Sequence, residues 1–91
     1  MAVYLITYDL HKFGQDYKGL HQKIKSLGEN IHPLESTWIV SSNHDSKEIY
    51  NTLKPSLDSN DCILIVKIQS TSDYYGLLNK AYWSWLKTHI D

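Results

Sequence analysis

Residues 3–9, Val3-Tyr4-Leu5-Ile6-Thr7-Tyr8-Asp9, form an apolar run closed by a carboxylate. The run is mostly β-branched or aromatic and nearly continuous in apolarity, which predicts a central strand. A buried strand that ends on an acid sets that acid at the rim of the sheet. Rims of this kind are where small α/β domains place their chemistry. Asp9 is therefore the first residue to suspect of catalysis or metal binding.

Beyond this strand, residues 9–14 read as a polar loop, and Asp16 can cap a helix over residues 17–27. Tyr17, Leu20, Ile24 and Leu27 recur at helical spacing, while Lys18, Lys23 and Lys25 occupy other faces. Gly28 stands where a helix C′ residue belongs. Two short strands follow, at about residues 30–34 and 36–42, with Pro33 marking an edge or a bend. Asp45-Ser46-Lys47-Glu48 is a capping-box pattern. The helix it opens carries Ile49, Leu53 and Leu57 on one stripe, and Pro55 should break it near Lys54. After the turn cluster Asp58-Ser59-Asn60-Asp61 comes Cys62-Ile63-Leu64-Ile65-Val66-Lys67-Ile68, a strand apolar enough to be expected central. The order βαββαβ folds most simply as an α+β, ferredoxin-like sandwich. In it residues 3–8 and 36–42 are the central strands, and residues 62–68 flank the first.

The tail departs from this pattern. Ser70-Thr71-Ser72-Asp73 is a candidate N-cap cluster for an added aromatic-rich C-terminal helix starting at Tyr74. Leu78, Ala81, Tyr82, Trp85 and Leu86 share one helical face, and Trp83 lies nearly opposite Trp85. A helix apolar on more than one side must bury more than one side. Residues 71–91 are thus expected to pack on the ferredoxin-like domain of residues 1–70 and, through Trp83 and Trp85, on a partner chain. On a monomer, Trp83 would instead lie partly exposed.

Ninety-one residues make one domain, short enough that stability is marginal or shared with a second subunit. No apolar stretch approaches eighteen residues, so no membrane partner is expected. The N-terminus reads as a strand and not as a signal peptide. Cys62 is the single cysteine, which excludes an intrachain disulfide and suits a reducing, cytoplasmic setting. Its apolar neighbours predict a small core residue. The chain has nine lysines and no arginine at a net charge of −1. Arginine is the preferred residue for bidentate phosphate and guanine contacts, so a strong sequence-specific nucleic-acid reader is not expected.

A strand-end aspartate serves as a turn former or cap as readily as a ligand. As a ligand, Asp9 alone is too little for Mg²⁺, which takes one or two carboxylates together with waters and substrate phosphate. A symmetric dimer would supply the second carboxylate. His11, two residues on, is a candidate acid/base at the same rim, or a solvated loop histidine. The five histidines form no i, i+4 pair, and the four glycines are too dispersed for a phosphate loop. The hydroxyls of Ser36 and Thr37 could contact a phosphate or satisfy a turn. Lys12, Lys18, Lys23 and Lys25 form a solvated face that can add salt-sensitive phosphate contacts.

Three stretches together resemble a known family. Tyr4-Leu5-Ile6-Thr7-Tyr8-Asp9-Leu10 is similar to the first strand of the CRISPR-associated protein 2 family and of the related virulence-associated protein D toxins. Gly28, residues 31–34 and Ser36-Thr37-Trp38 resemble that family's glycine after helix one and its third strand. Residues 61–68 resemble its fourth strand, introduced by an acidic turn. The resemblance implies a ferredoxin-like homodimer with a metal-dependent nuclease or scaffold role on nucleic acid. It implies that Asp9, with Tyr8 and His11 nearby, forms a catalytic rim holding Mg²⁺ or Mn²⁺ in the dimer cleft. It further maps Ser36 and Trp38 onto the serine and aromatic of the family's third strand, and these two, with Lys12 and Lys18 of the basic face, are the residues expected to contact RNA or single strands. The expected function is a homodimeric nucleic-acid-associated protein, either a metal-dependent endoribonuclease or a non-catalytic binding or regulatory module.

Overall fold

Alternation along β1 (Ala2–Asp9) divides the molecule into two cores. In the computed structural model, which describes residues 1–11 and 17–90, Tyr4, Ile6 and Tyr8 point to one face and Val3 and Leu5 to the other. The remaining elements are α1 (Lys18–Ser26), β2 (Glu29–Leu34), β3 (Thr37–Ser42), α2 (Ser46–Leu53), β4 (Cys62–Ile68) and α3 (Lys80–His89), with single 3₁₀ turns at Lys54–Ser56 and Thr71–Asp73. The four strands form one antiparallel sheet in the order β2-β3-β1-β4. This α+β arrangement is compatible with a ferredoxin-like sandwich. Among the described residues, no helix is long and apolar enough to cross a membrane.

The inner face of the sheet carries α1 and α2. Leu20, Ile24, Ile49 and Leu53 are fully buried there against Ile6, Trp38 and Val40, and each such side chain stabilises the fold by roughly 1.5–3 kcal/mol. The capping box of α2 is formed. The Asp45 carboxylate accepts from the Glu48 N–H at 2.8 Å, and the Glu48 carboxylate accepts from the Asp45 N–H at 2.9 Å. Pro55 ends α2 in a 3₁₀ turn, at the expected place. Gly28 follows α1 with φ of 155°, and a Cβ there would lie 1.9 Å from the Ser41 carbonyl oxygen. Only glycine lets the chain leave α1 so close to β3. The expected cap Asp16 lies outside the described residues.

Three expectations change. β4 flanks β1 at the edge of the sheet, as the βαββαβ order has it, and not at the centre, as its apolarity alone suggests. Among the described residues it pairs only with β1, and Cys62, Leu64 and Val66 on its outer face are exposed. Its near-continuous apolarity therefore does not report burial on both faces. Cys62 is accordingly exposed and not a core residue. The third change is the start of the last helix. Ser70 and Asp73 form a capping box around the 3₁₀ turn and not around α3. The chain then carries no helix until Lys80, where the Asn79 side chain accepts from the Ala81 N–H at 3.0 Å. Gly76 costs helix about 1 kcal/mol relative to alanine, and the anchoring of Tyr74 and Leu78 on the sheet holds the segment open.

The outer face of the sheet is covered in part by α3. Leu86 and Ile90 are buried against Val3, Ile39 and Ile68, with Trp83 and Trp85 packed around them. Each tryptophan has a ring partner within the chain. Tyr74 stacks on Trp83 with centroids 6.1 Å apart, and His89 stacks on Trp85 at 3.8 Å. α3 thus buries two sides on its own domain.

Candidate functional site

Asp9 closes β1 opposite Cys62, and alternation along the strand points it to the outer face with Leu5 and Thr7. Its side chain is 78% exposed, with Oδ2 3.2 Å from His11 Nε2. The His11 ring thus lies beside Asp9 at the same rim.

A second carboxylate holds this rim in shape. Asp61 accepts the His11 backbone N–H at 2.8 Å, the Asp58 N–H at 2.8 Å and the Tyr17 hydroxyl at 2.9 Å. Partial desolvation pushes the Asp61 carboxyl up, but the two N–H donors, the Tyr17 hydroxyl and the nearby His11 ring outweigh it and hold it below the usual carboxylate range. Asp61 thus bonds both His11 and Tyr17. The sequence marked it only as a turn residue.

Tyr8 faces away from Asp9. It is buried on the inner face, where its oxygen accepts from Trp38 Nε1–H at 3.0 Å and lies 3.2 Å from His21 Nε2. Burial raises the Tyr8 phenol above its ordinary value, the Trp38 bond opposes this, and the Glu35 charge adds to it. Trp38 is buried too, its indole stacked on exposed His32 at 3.9 Å between centroids and 11° between planes. Lys25 Nζ lies 5.9 Å from the same ring. His21 joins this cluster through ring contacts to both Tyr8 and Trp38. Nothing in the spacing of the histidines signalled it.

Ser36 is exposed in the β2–β3 turn at Asp9's end of the sheet. Its carbonyl accepts from the Tyr8 N–H at 3.1 Å and from the Thr7 hydroxyl at 3.3 Å. The Thr7 and Thr37 hydroxyls meet at 3.1 Å beside it. Lys18 opens α1 and is exposed, and Lys12 lies outside the described residues. Trp83 and Trp85 belong to α3, on the outer face but packed inward. The structure thus gathers Asp9, His11, Thr7 and Ser36 at one end of the sheet, and sends Tyr8 and Trp38 into the core beneath it.

Among the described residues, no group of three or more His, Cys, Asp or Glu side chains is arranged to hold a metal ion. One chain offers the Asp9 carboxylate and the His11 imidazole. No family model matches the chain, and no solved structure shows significant similarity to it.

Proposed function

We propose that this protein is a homodimeric, nucleic-acid-associated member of the CRISPR-associated protein 2 and virulence-associated protein D group, built on a ferredoxin-like sandwich and cleaving RNA with a divalent metal. The observation that carries the proposal is the placement of Asp9. It is an exposed carboxylate at the end of a central strand, on the outer face of the sheet, with His11 at 3.2 Å. A two-fold partner approaching that face adds a second Asp9 and a second His11.

The donor set suits a hard cation. An exposed carboxylate leaves room for the waters and substrate phosphate that Mg²⁺ or Mn²⁺ retains. When bound, such an ion supplies a water nucleophile at neutral pH and neutralises charge on the phosphodiester. The chain's own part is positional. Asp9 binds, His11 is poised to move a proton at Nε2, and Asp61 fixes the His11 backbone. Ser36 and Lys18 are exposed and would offer a nucleic-acid backbone a hydroxyl and an ammonium group.

Incubating purified protein with single-stranded RNA and Mg²⁺ or Mn²⁺ tests this. Cleavage should appear with metal, disappear with chelator, and fall by about 100-fold or more in Asp9→Ala. Unchanged cleavage in Asp9→Ala overturns the catalytic assignment. A second reading, a non-catalytic dimeric binding module, is favoured by the exposed apolar side chains Leu64 and Val66 on the same face. They suit contact with protein better than contact with phosphate. On that reading the protein is dimeric and cleaves no RNA under any metal.

A further inference from the structure

Residues 74–79 are anchored at both ends and bare in the middle. The Tyr74 ring stacks on Trp83, and Leu78 packs on the outer core. Between these anchors Tyr75 is 103% exposed and Leu77 is 96% exposed. Two large apolar side chains are thus held in water by a segment fixed on either side. A contiguous exposed apolar patch, unlike a single exposed leucine, marks an interaction surface.

The patch is contiguous. Tyr75 and Leu77 border a cleft of about 240 Å³ that is also lined by Leu5, Leu34, Thr37 and Ile39. From Leu5 the register carries the apolar surface sideways onto β4: Leu5 opposes Val66, which is 44% exposed, and Thr7 opposes Leu64, which is 60% exposed. None of these side chains is charged.

That chemistry decides between occupants. A nucleic acid requires cations against its phosphates, and the patch has none. A second copy of the chain requires a face that fits itself. Here a projecting pair and an apolar cleft lie side by side on one face, which is what a reciprocal two-fold contact needs. The area agrees. Leu34, Leu64, Val66, Tyr75 and Leu77 together expose roughly 400–500 Å² of side chain, over half of the ~800 Å² that each partner buries in a stable interface.

We propose that the outer sheet face and the arm at residues 74–79 form the homodimer interface, with Tyr75 and Leu77 of each copy seated in the cleft of the other. This rests on the homodimer of the proposed function and not on its catalysis. It also moves the interface from Trp83 and Trp85, which are used within the chain, to the arm that precedes them.

Sedimentation equilibrium on the full chain tests it, using wild type, the double variant Tyr75→Ser/Leu77→Ser, and Leu64→Lys on the opposite side of the patch. Because these side chains are exposed, the variants should keep the circular-dichroism spectrum of the wild type. The wild type should be dimeric at about 10 μM, and each variant should weaken the dimer by about 100-fold or more. A wild type that is monomeric overturns the proposal, including one that instead holds an oligonucleotide on this face. So does a dimer that both variants leave intact. A dimer dissolved by these substitutions supports the interface even when the wild type cleaves no RNA, and cleavage lost in an Asp9→Ala that stays dimeric bears on catalysis alone. Failure of the catalytic reading is thereby kept apart from failure of this one.

Discussion

Asp61 accepts hydrogen bonds from His11, Tyr17 and Asp58, so its carboxylate is held by donors from two separate stretches of chain. Losing those bonds at a half-exposed site should destabilise the fold by about 1–2 kcal/mol in Asp61→Ala, read as a lower urea midpoint. Asp61→Asn keeps an acceptor oxygen and should lose less. The pH dependence has a definite sign. The folded carboxyl sits below its ordinary range, so its contribution is present above the unfolded value of about 4 and is lost as pH falls through the folded value. Asp61→Asn should flatten that acid limb, and a variant as acid-sensitive as the wild type would show that other carboxylates govern it. How far the sequence discloses this residue is instructive. Asp58-Ser59-Asn60-Asp61 is legible as a turn because Asx side chains bond their own backbone. Its bonds to His11 and Tyr17 span 50 and 44 residues, a separation at which no local pattern operates. The reverse holds for Tyr8. Its position beside Asp9 in sequence suggested a shared site, whereas strand alternation puts the two on opposite faces of the sheet.

At the scale of elements, α3 is fastened to the sheet edge by a charged pair. The His89 ring is engaged at both nitrogens: Nδ1–H donates to the Trp85 carbonyl at 2.8 Å, and Nε2–H donates to the Glu29 carboxylate on β2. With acceptors at both positions, only the doubly protonated ring satisfies both. Burial alone would lower this histidine, but the bond to Glu29, the Trp85 carbonyl and the Glu29 charge outweigh it and raise it above the ordinary value. The stabilisation is therefore complete below about pH 6.5 and lost as pH rises through the folded value. Glu29 is largely exposed, so the pair is worth about 0.5–1 kcal/mol. Trp85, stacked on the His89 ring, is a built-in reporter. Its fluorescence should change across that titration in the wild type and stay flat in His89→Gln, and an equal pH response in the variant would remove His89 as the cause. Helices and strands of the first three-quarters of the chain were legible because caps, proline and hydrophobic period agree there. The apolarity of β4 does not report its burial, because a strand that is apolar on both faces looks the same whether its outer face is covered by its own chain or left open; the element order alone places it beside β1. The start of α3 was misplaced because Ser70–Asp73 is a genuine cap, but of a single 3₁₀ turn.

Across the whole molecule, the two faces of one sheet are unequally covered. α1 and α2 close the inner face, while α3 covers only part of the outer face and leaves Leu64 and Val66 in water. A 91-residue chain buries a limited share of its surface on folding, so a second subunit over the open face would add a large fraction of total stability. Folding and association are then one equilibrium, and the melting midpoint must depend on protein concentration. Each tenfold increase in concentration adds about 1.4 kcal/mol to a dimer that unfolds to monomers. For a unit of roughly 180 residues that corresponds to a rise of about 3–5 °C. Scanning fluorimetry on the wild type across two decades of concentration should show this rise. The same scan on Tyr75→Ser/Leu77→Ser should give a lower midpoint that no longer moves with concentration, since that variant melts as a monomer. A wild-type midpoint that stays constant while the protein sediments as a dimer would mean that the two domains unfold independently of their contact. The outer face would then contribute to assembly without contributing to the fold.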